Sequence, residues 1–242
     1  MLGILVQLLI SWGLLWLFEK KNLSVLGLMP TTRRIMELFV FLIISMACGS
    51  SGYLIKIING YEIWILNPKF TWSLVLDGAR WNINSVLFEE LIFRGAIFYI
   101  LMKRIGTAYS ILISAVSFGI YHWFSFGILG NITQMIPVFL LTGITGVLYA
   151  YGYVRTTSLY AVIGMHFGWN FTNNFIFSNG SIGEGILVQQ RPAPIVTVSY
   201  FTYFVIGFLP MISYWIINFL TLKYWGKKRY SDIQANSLNI LS

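Results

Sequence analysis

The sequence predicts an all-α protein, a polytopic transmembrane helical bundle of about seven spans with its N-terminus outside and its C-terminus inside. Three observations predict it. Of 242 residues, 57% are hydrophobic and 10% charged, and the mean hydropathy of +0.74 places the chain in the membrane class before any residue is weighed. The apolar runs are separated by short segments in which Lys and Arg cluster, as the positive-inside rule arranges them. The remaining ionisable residues, both histidines among them, sit inside those runs, where charge is costly and marks a function. The net charge of +8 therefore does not point to nucleic acid, since no folded soluble region is left to present a basic face to a duplex. Composition favours one bundle over residues 1–222 and a basic, then polar, cytoplasmic tail over residues 223–242.

Residues 2–18 are apolar and are followed by Glu19, Lys20 and Lys21. A signal peptide carries its charge before the apolar run and a small-residue cleavage site after it, so a retained first span is expected. The loop to Arg34 holds Lys20, Lys21, Arg33 and Arg34, with Gly27 and Pro30 as breakers. A second span follows at about 35–58, with Lys56 snorkelling at its far end. Residues 59–80 are mixed. Asn67-Pro68 interrupts any helix, and Tyr61, Trp64 and Trp72 suit an interface belt, so this segment either lies on the membrane or begins the next helix. The third span is the stretch Trp81–Arg104. The fourth to sixth cover about 108–126, 133–153 and 159–177. A loop at 179–196 precedes the seventh, about 197–222, in which Pro210 is expected to make a kink. In this scheme Lys20, Lys21, Arg33, Arg34, Lys103, Arg104, Arg155, Lys223, Lys227, Lys228 and Arg229 fall inside. Only Lys56, Lys69, Arg80 and Arg191 fall outside, and that imbalance sets the orientation. The single cysteine, Cys48, excludes an internal disulfide and reads as a packing residue.

The densest chemistry lies in Trp81–Arg104, WNINSVLFEELIFRGAIFYILMKR. It is apolar enough to cross a bilayer, yet it holds Glu89, Glu90 and Arg94. Each such charge costs roughly 2.5–3.5 kcal/mol on insertion scales, so these residues face a protein interior. Glu90 and Arg94 are i and i+4 with the acid N-terminal, the favourable orientation for a pair. Glu89 points about 100° away and shares that arginine less closely. One carboxylate reads as paired and the other as open to chemistry. The bland alternative is an ion network that locks two helices together.

His122 and His166 both lie inside predicted spans. A lone buried histidine is more often a packing residue than a catalyst, but two of them beside an intramembrane Glu pair ask for a joint explanation. Along straight helices Glu89 lies about 21 Å above Lys103, His166 about 17 Å above Arg155 and His122 about 23 Å above Thr107. One depth, and one cavity, is expected. His166 and Asn170 at i+4 share a face and offer two donors one turn apart, suited to an anion or a developing oxyanion. Polar residues such as Asn170 also act as interhelical glue. Phe118, one turn before His122, is placed to pack on its ring.

Taken together, Glu89-Glu90-Leu91-Ile92-Phe93-Arg94 (EExxxR), Phe118 to His122 (FxxxH) and His166 to Asn170 (HxxxN), in that order on successive membrane segments, resemble the CPBP intramembrane proteases, also called the Abi family. That group includes CAAX-type prenyl-protein proteases and bacteriocin-processing or self-immunity proteins. The motifs span residues 89–170. The resemblance implies a membrane-embedded cavity and peptide-bond hydrolysis, with Glu89 as the general base on water, His122 assisting, and His166 and Asn170 stabilising the oxyanion. Glu90 and Arg94 complete the first motif. Zinc is an alternative, with Glu89, His122 and His166 as ligands. HExxH is absent, however, and the likeness to CAAX-type members implies a glutamate-and-water mechanism, so no metal or other cofactor is expected. The expected partners are a peptide or protein substrate within or at the membrane and the lipid bilayer, in a bacterial cell membrane. Two further readings compete: a non-catalytic bacteriocin self-immunity protein of the same fold, and a proton-coupled transporter. Transporters usually show repeated halves, and no internal repeat is visible here.

Overall fold

The structure, a computed structural model, describes residues 2–178, 185–190 and 197–225. The described residues are mostly helical: α1 (Leu2–Glu19), α2 (Thr32–Ile58), α3 (Trp72–Arg94), α4 (Ala96–Ile105), α5 (Thr107–Ser125), α6 (Ile132–Thr156), α7 (Leu159–Phe171) and α8 (Tyr200–Trp225). The all-α expectation holds, with one small sheet added. Of these helices, α1, α2, α6 and α8 are long and apolar enough to cross a membrane. The helix α7 has 13 residues, about 20 Å of rise against a hydrocarbon core of roughly 30 Å. The expected loop at 179–196 falls largely, and the tail beyond Trp225 entirely, outside the described residues.

The third span is corrected. It is not one helix over Trp81–Arg104: α3 starts at Trp72, runs to Arg94, and breaks at Gly95 before α4. Gly95 stands at φ −81°, ψ −140°, and a Cβ there would run into the Leu91 carbonyl oxygen. Any side chain there would force the joint to shift. The sixth span is corrected too. The helix α7 ends at Phe171, passes through a π-helical turn (Thr172–Ile176) and becomes extended at Phe177.

The chain forms two compact units. The first comprises residues 1–37, 87–162 and 219–242. Leu15 of α1, Leu26 and Ala96 of α4 make a small core there. A 3-10 turn (Leu23–Leu26) is capped by Asn22, whose side chain accepts from the Ser24 N–H, and is closed by Gly27 in the left-handed region at φ +71°. The corner is then gripped by its backbone. Ser158 Oγ donates to the Gly27 carbonyl at 3.3 Å, and the Tyr160 hydroxyl donates to that of Leu28 at 3.0 Å. A Cβ at Gly27 would meet the Thr157 carbonyl. Between α5 and α6, Gly146 sits so close that a Cβ would lie 3.0 Å from Ala115 Cα and 3.3 Å from Phe118.

The second unit comprises residues 38–86 and 163–218. Here α7 meets α2 through Gly164 and Gly168. A Cβ at Gly164 would strike the Leu38 carbonyl, and one at Gly168 would lie 2.6 Å from the Leu42 carbonyl and 2.9 Å from Ser45 Cβ. This is small-xxx-small packing, in which glycine lets two backbones approach. The ambiguous segment 59–80 is resolved into a strand, a turn and the start of α3. The strand β1 (Trp64–Leu66) runs antiparallel to β3 (Leu187–Gln189), with Trp64 opposite Gln189, and β2 (Phe177–Ser178) runs parallel to β3, giving the order β1-β3-β2. Tyr53 stacks on Phe177 at 4.3 Å, and Trp64 stands edge-on to both. Asn67 pins the turn: its Nδ2 donates to the Gly185 carbonyl at 2.8 Å and its Oδ1 accepts from the Lys69 N–H at 2.9 Å.

Candidate active site

The last turn of α3 holds the acidic motif. Glu90 and Arg94 have no solvent exposure, and Glu89 is 8% exposed. Arg94 Nη1 donates to Glu90 Oε1 at 3.3 Å and Oε2 at 3.2 Å, and Nη2 donates to the Gly146 carbonyl at 3.1 Å. The guanidinium carbon lies 4.4 Å from the centre of the Phe118 ring and 5.2 Å from that of Tyr149. The cation is thus balanced by one carboxylate, by a carbonyl and by aromatic faces, which is what a buried charge needs to be tolerable. The expected Glu90–Arg94 pair is present. The same end of α3 is held by Ser114 of α5, whose hydroxyl donates to the Phe93 carbonyl at 2.9 Å. That carbonyl belongs to the last turn, where no intrahelical donor reaches it.

Glu89 leaves the helix about 100° from Glu90. It lies within electrostatic reach of Tyr121 on α5. His122, on the same helix, is 8% exposed. Its Nδ1 is 2.8 Å from the Phe118 carbonyl oxygen. A carbonyl only accepts, so Nδ1 carries the hydrogen, and in the neutral ring Nε2 is an acceptor. Phe118 packs on the ring at 4.5 Å, with Phe126 at 5.2 Å and Tyr121 at 5.4 Å completing the enclosure. Phe118 therefore fixes His122 twice, by ring contact as expected and by its carbonyl.

His166 and Asn170 sit one turn apart on α7, His166 buried at 4% exposure and Asn170 half-buried. Taking Gly164 and Gly168 as the side docked on α2, His166 and Asn170 fall on the far side of α7. The structure thus gathers Glu89, Glu90, Arg94, Phe118 and His122 in the first unit and carries His166 and Asn170 in the second. The depth estimates also change. The count from Thr107 to His122 follows one unbroken helix, but the count from Glu89 to Lys103 crosses the joint at Gly95. The count from Arg155 to His166 crosses Thr157, which is left-handed at φ +50°. Among the described residues, no group of three His, Cys, Asp or Glu side chains is placed to hold a metal.

The sequence reading missed Gly146 and Tyr149, which complete the setting of Arg94, and Gly164 and Gly168, which set α7. A GxxxG spacing in an apolar helix is a readable signal for the last two. A backbone carbonyl as an arginine partner leaves none.

Four helices long and apolar enough to cross a membrane, together with buried carboxylates on α3 and buried imidazoles on α5 and α7, define the class: an integral membrane protein with a polar site built inside its helices. Residues 71–172 match the family model described as type II CAAX prenyl endopeptidase Rce1-like, which supports the likeness to the CPBP family of CAAX-type proteases over that segment. The matched segment contains all three motifs. Comparison with curated proteins and with solved structures found no match.

Proposed function

We propose that the protein is an intramembrane endopeptidase that hydrolyses a peptide bond of a membrane-associated or lipidated peptide. The observation that carries this is the buried acidic motif at the end of α3, where Glu89 stands beside a Glu90 paired with Arg94, itself held by the Gly146 carbonyl. The match over all three motifs supports the same assignment.

In this reading the Glu89 carboxylate takes a proton from water as the water oxygen attacks the peptide carbon. His122 Nε2 accepts a hydrogen bond from that water and orients it. The His166 ring N–H and the Asn170 amide N–H donate to the oxyanion that forms. Glu89 then delivers its proton to the departing nitrogen, the C–N bond breaks, and a carboxylic acid and an amine leave. Each role is within the ordinary range: general-base catalysis contributes about 10²–10⁴-fold, and one oxyanion donor about 10²–10³-fold. No metal enters this scheme. The test compares peptide products from cells making the wild-type protein with those from cells making Glu89→Gln. Products that depend on the carboxylate support the reading, and identical products from both overturn it.

A further inference from the structure

The strand β1 stands at one edge of the small sheet, since the order β1-β3-β2 gives it a neighbour on one side only. Two bonds at its ends set which of its backbone groups that neighbour uses. The Gln190 N–H donates to the Ile63 carbonyl at 2.8 Å, and the Asn67 N–H donates to that of Ile186 at 2.9 Å. With Ile65 opposite Val188, residues 63, 65 and 67 are the ones that face β3. Bonded and non-bonded pairs alternate along antiparallel strands, so the N–H and C=O groups of Trp64 and Leu66 point the other way. Among the described residues nothing bonds to these outward groups.

Natural sheets guard such an edge with charge, proline or a bulge. Here the paired stretch is Trp-Ile-Leu, with Ile65 39% and Leu66 56% exposed, and Pro68 and Lys69 come only after it. The edge is also held in place. The Trp64 indole N–H donates to Glu62 Oε2 at 2.9 Å, its ring stands edge-on to Tyr53 and Phe177, and Asn67 pins the turn that follows. A fixed, unguarded row of backbone groups fits another polypeptide in extended form, which adds as a further strand. An acyl chain has no N–H or C=O row to offer it. Its place in the chain favours the substrate. The strand β2 follows α7 through the π-helical turn, so that the sheet and the helix of His166 and Asn170 belong to the same unit. A scissile bond in a membrane segment starts inside a helix, where its carbonyl accepts from the N–H four residues on. Hydrolysis needs that carbonyl freed, and opening the helix leaves a run of N–H and C=O groups without partners away from water. The open side of β1 supplies partners of both kinds.

We propose that the open side of β1 receives the substrate polypeptide as an added strand, through the backbone N–H and C=O groups of Trp64 and Leu66. The proposal rests on the endopeptidase reading and adds to it the form in which the substrate is held: extended, and gripped along its backbone.

The test uses the full chain in lipid nanodiscs and a probe peptide of about ten residues, alternating Val and Thr for strand propensity. Retention of the probe is read in a Glu89→Gln background, where cleavage does not consume it. Leu66→Pro removes one outward donor and no bond to β3, and should lower retention about tenfold or more. Leu66→Ala restores that N–H and should bring retention back to within about threefold of the parent. The peptide gives a second arm should the proline disturb folding. Methylating every backbone nitrogen of the probe should abolish its retention by the chain with Leu66 intact. Methylating alternate nitrogens blocks one edge of the probe only, and should cost less than about threefold. Retention with this pattern, but identical peptide products from cells making wild type and Glu89→Gln, supports the added strand and overturns the protease reading. Glu89-dependent products that Leu66→Pro leaves unchanged, with retention also unmoved, overturn the added strand and leave the protease reading standing. Protein that runs as two copies and becomes one in Leu66→Pro, with probe retention unmoved, gives the edge to a second copy and overturns it too.

Discussion

The two ends of the proposed chemistry are built by opposite means. Around Arg94 the chain places full charges in a dry setting and fixes them with partners: a carboxylate, the Gly146 carbonyl and the faces of Phe118 and Tyr149. Around His166 and Asn170, α7 is fixed by what is missing, the side chains of Gly164 and Gly168 against the α2 backbone. In the first region position follows from electrostatics, and removing one group leaves another stranded. In the second, position follows from backbone contact, and adding one group pushes a helix away. The two kinds of region should therefore fail differently when mutated.

The sharpest break comes from Glu89. Glu89→Gln keeps the shape but takes no proton, so peptidase rate should fall by about 10²–10⁴ with the thermal midpoint in detergent unchanged. A variant that unfolds, beside a Glu90→Gln that stays folded and silent, would exchange the roles of the two carboxylates. Asn170→Ala removes one oxyanion donor and should cost about 10²–10³ in kcat with little change in KM; a loss confined to KM would make it a binding residue. Glu90→Gln strands the guanidinium and should destabilise by about 3–5 kcal/mol, as should Arg94→Gln, whereas the double variant should recover part of the loss. Urea or thermal unfolding of all three reads this, and strict additivity would mean the pair contributes no coupling.

The glycine side gives the smaller effects. Gly164→Ala should cost about 1–3 kcal/mol from overpacking against Leu38, with activity falling alongside stability because α7 moves. Gly143→Ala on α6 meets only the Ala115 carbonyl, at 3.8 Å, and should stay within about 0.5 kcal/mol of the wild type. Equal losses at Gly164 and Gly143 would remove the contrast between the two regions.

The apolar runs made the helices legible, and the i, i+4 spacing made the Glu90–Arg94 pair legible, because both depend only on local geometry. The break at Gly95 was not read, since a glycine within an apolar run is tolerated as often as it interrupts. The strand Trp64–Leu66 depends on a partner some 120 residues away (Trp64 opposite Gln189), and three residues carry no usable periodicity. The tautomer of His122 depends on a carbonyl four residues back, which spacing suggests but does not require. Candidate residues were thus easier to name than to place, because chemistry is written in residue type and placement in contacts.

The corner at Gly27 carries a consequence in time. Its backbone is held by Tyr153, Ser158 and Tyr160, which follow it by 128, 131 and 132 positions in the pairs Val25–Tyr153, Gly27–Ser158 and Leu28–Tyr160. A ribosome adding about 5–20 residues per second delivers those hydroxyls roughly 7–26 s after the corner itself. Through that interval α1 and the corner exist without the groups that clasp them, so the N-terminal segment is threaded early and fastened late. Any factor that guards unfinished membrane chains would meet it in the unfastened form.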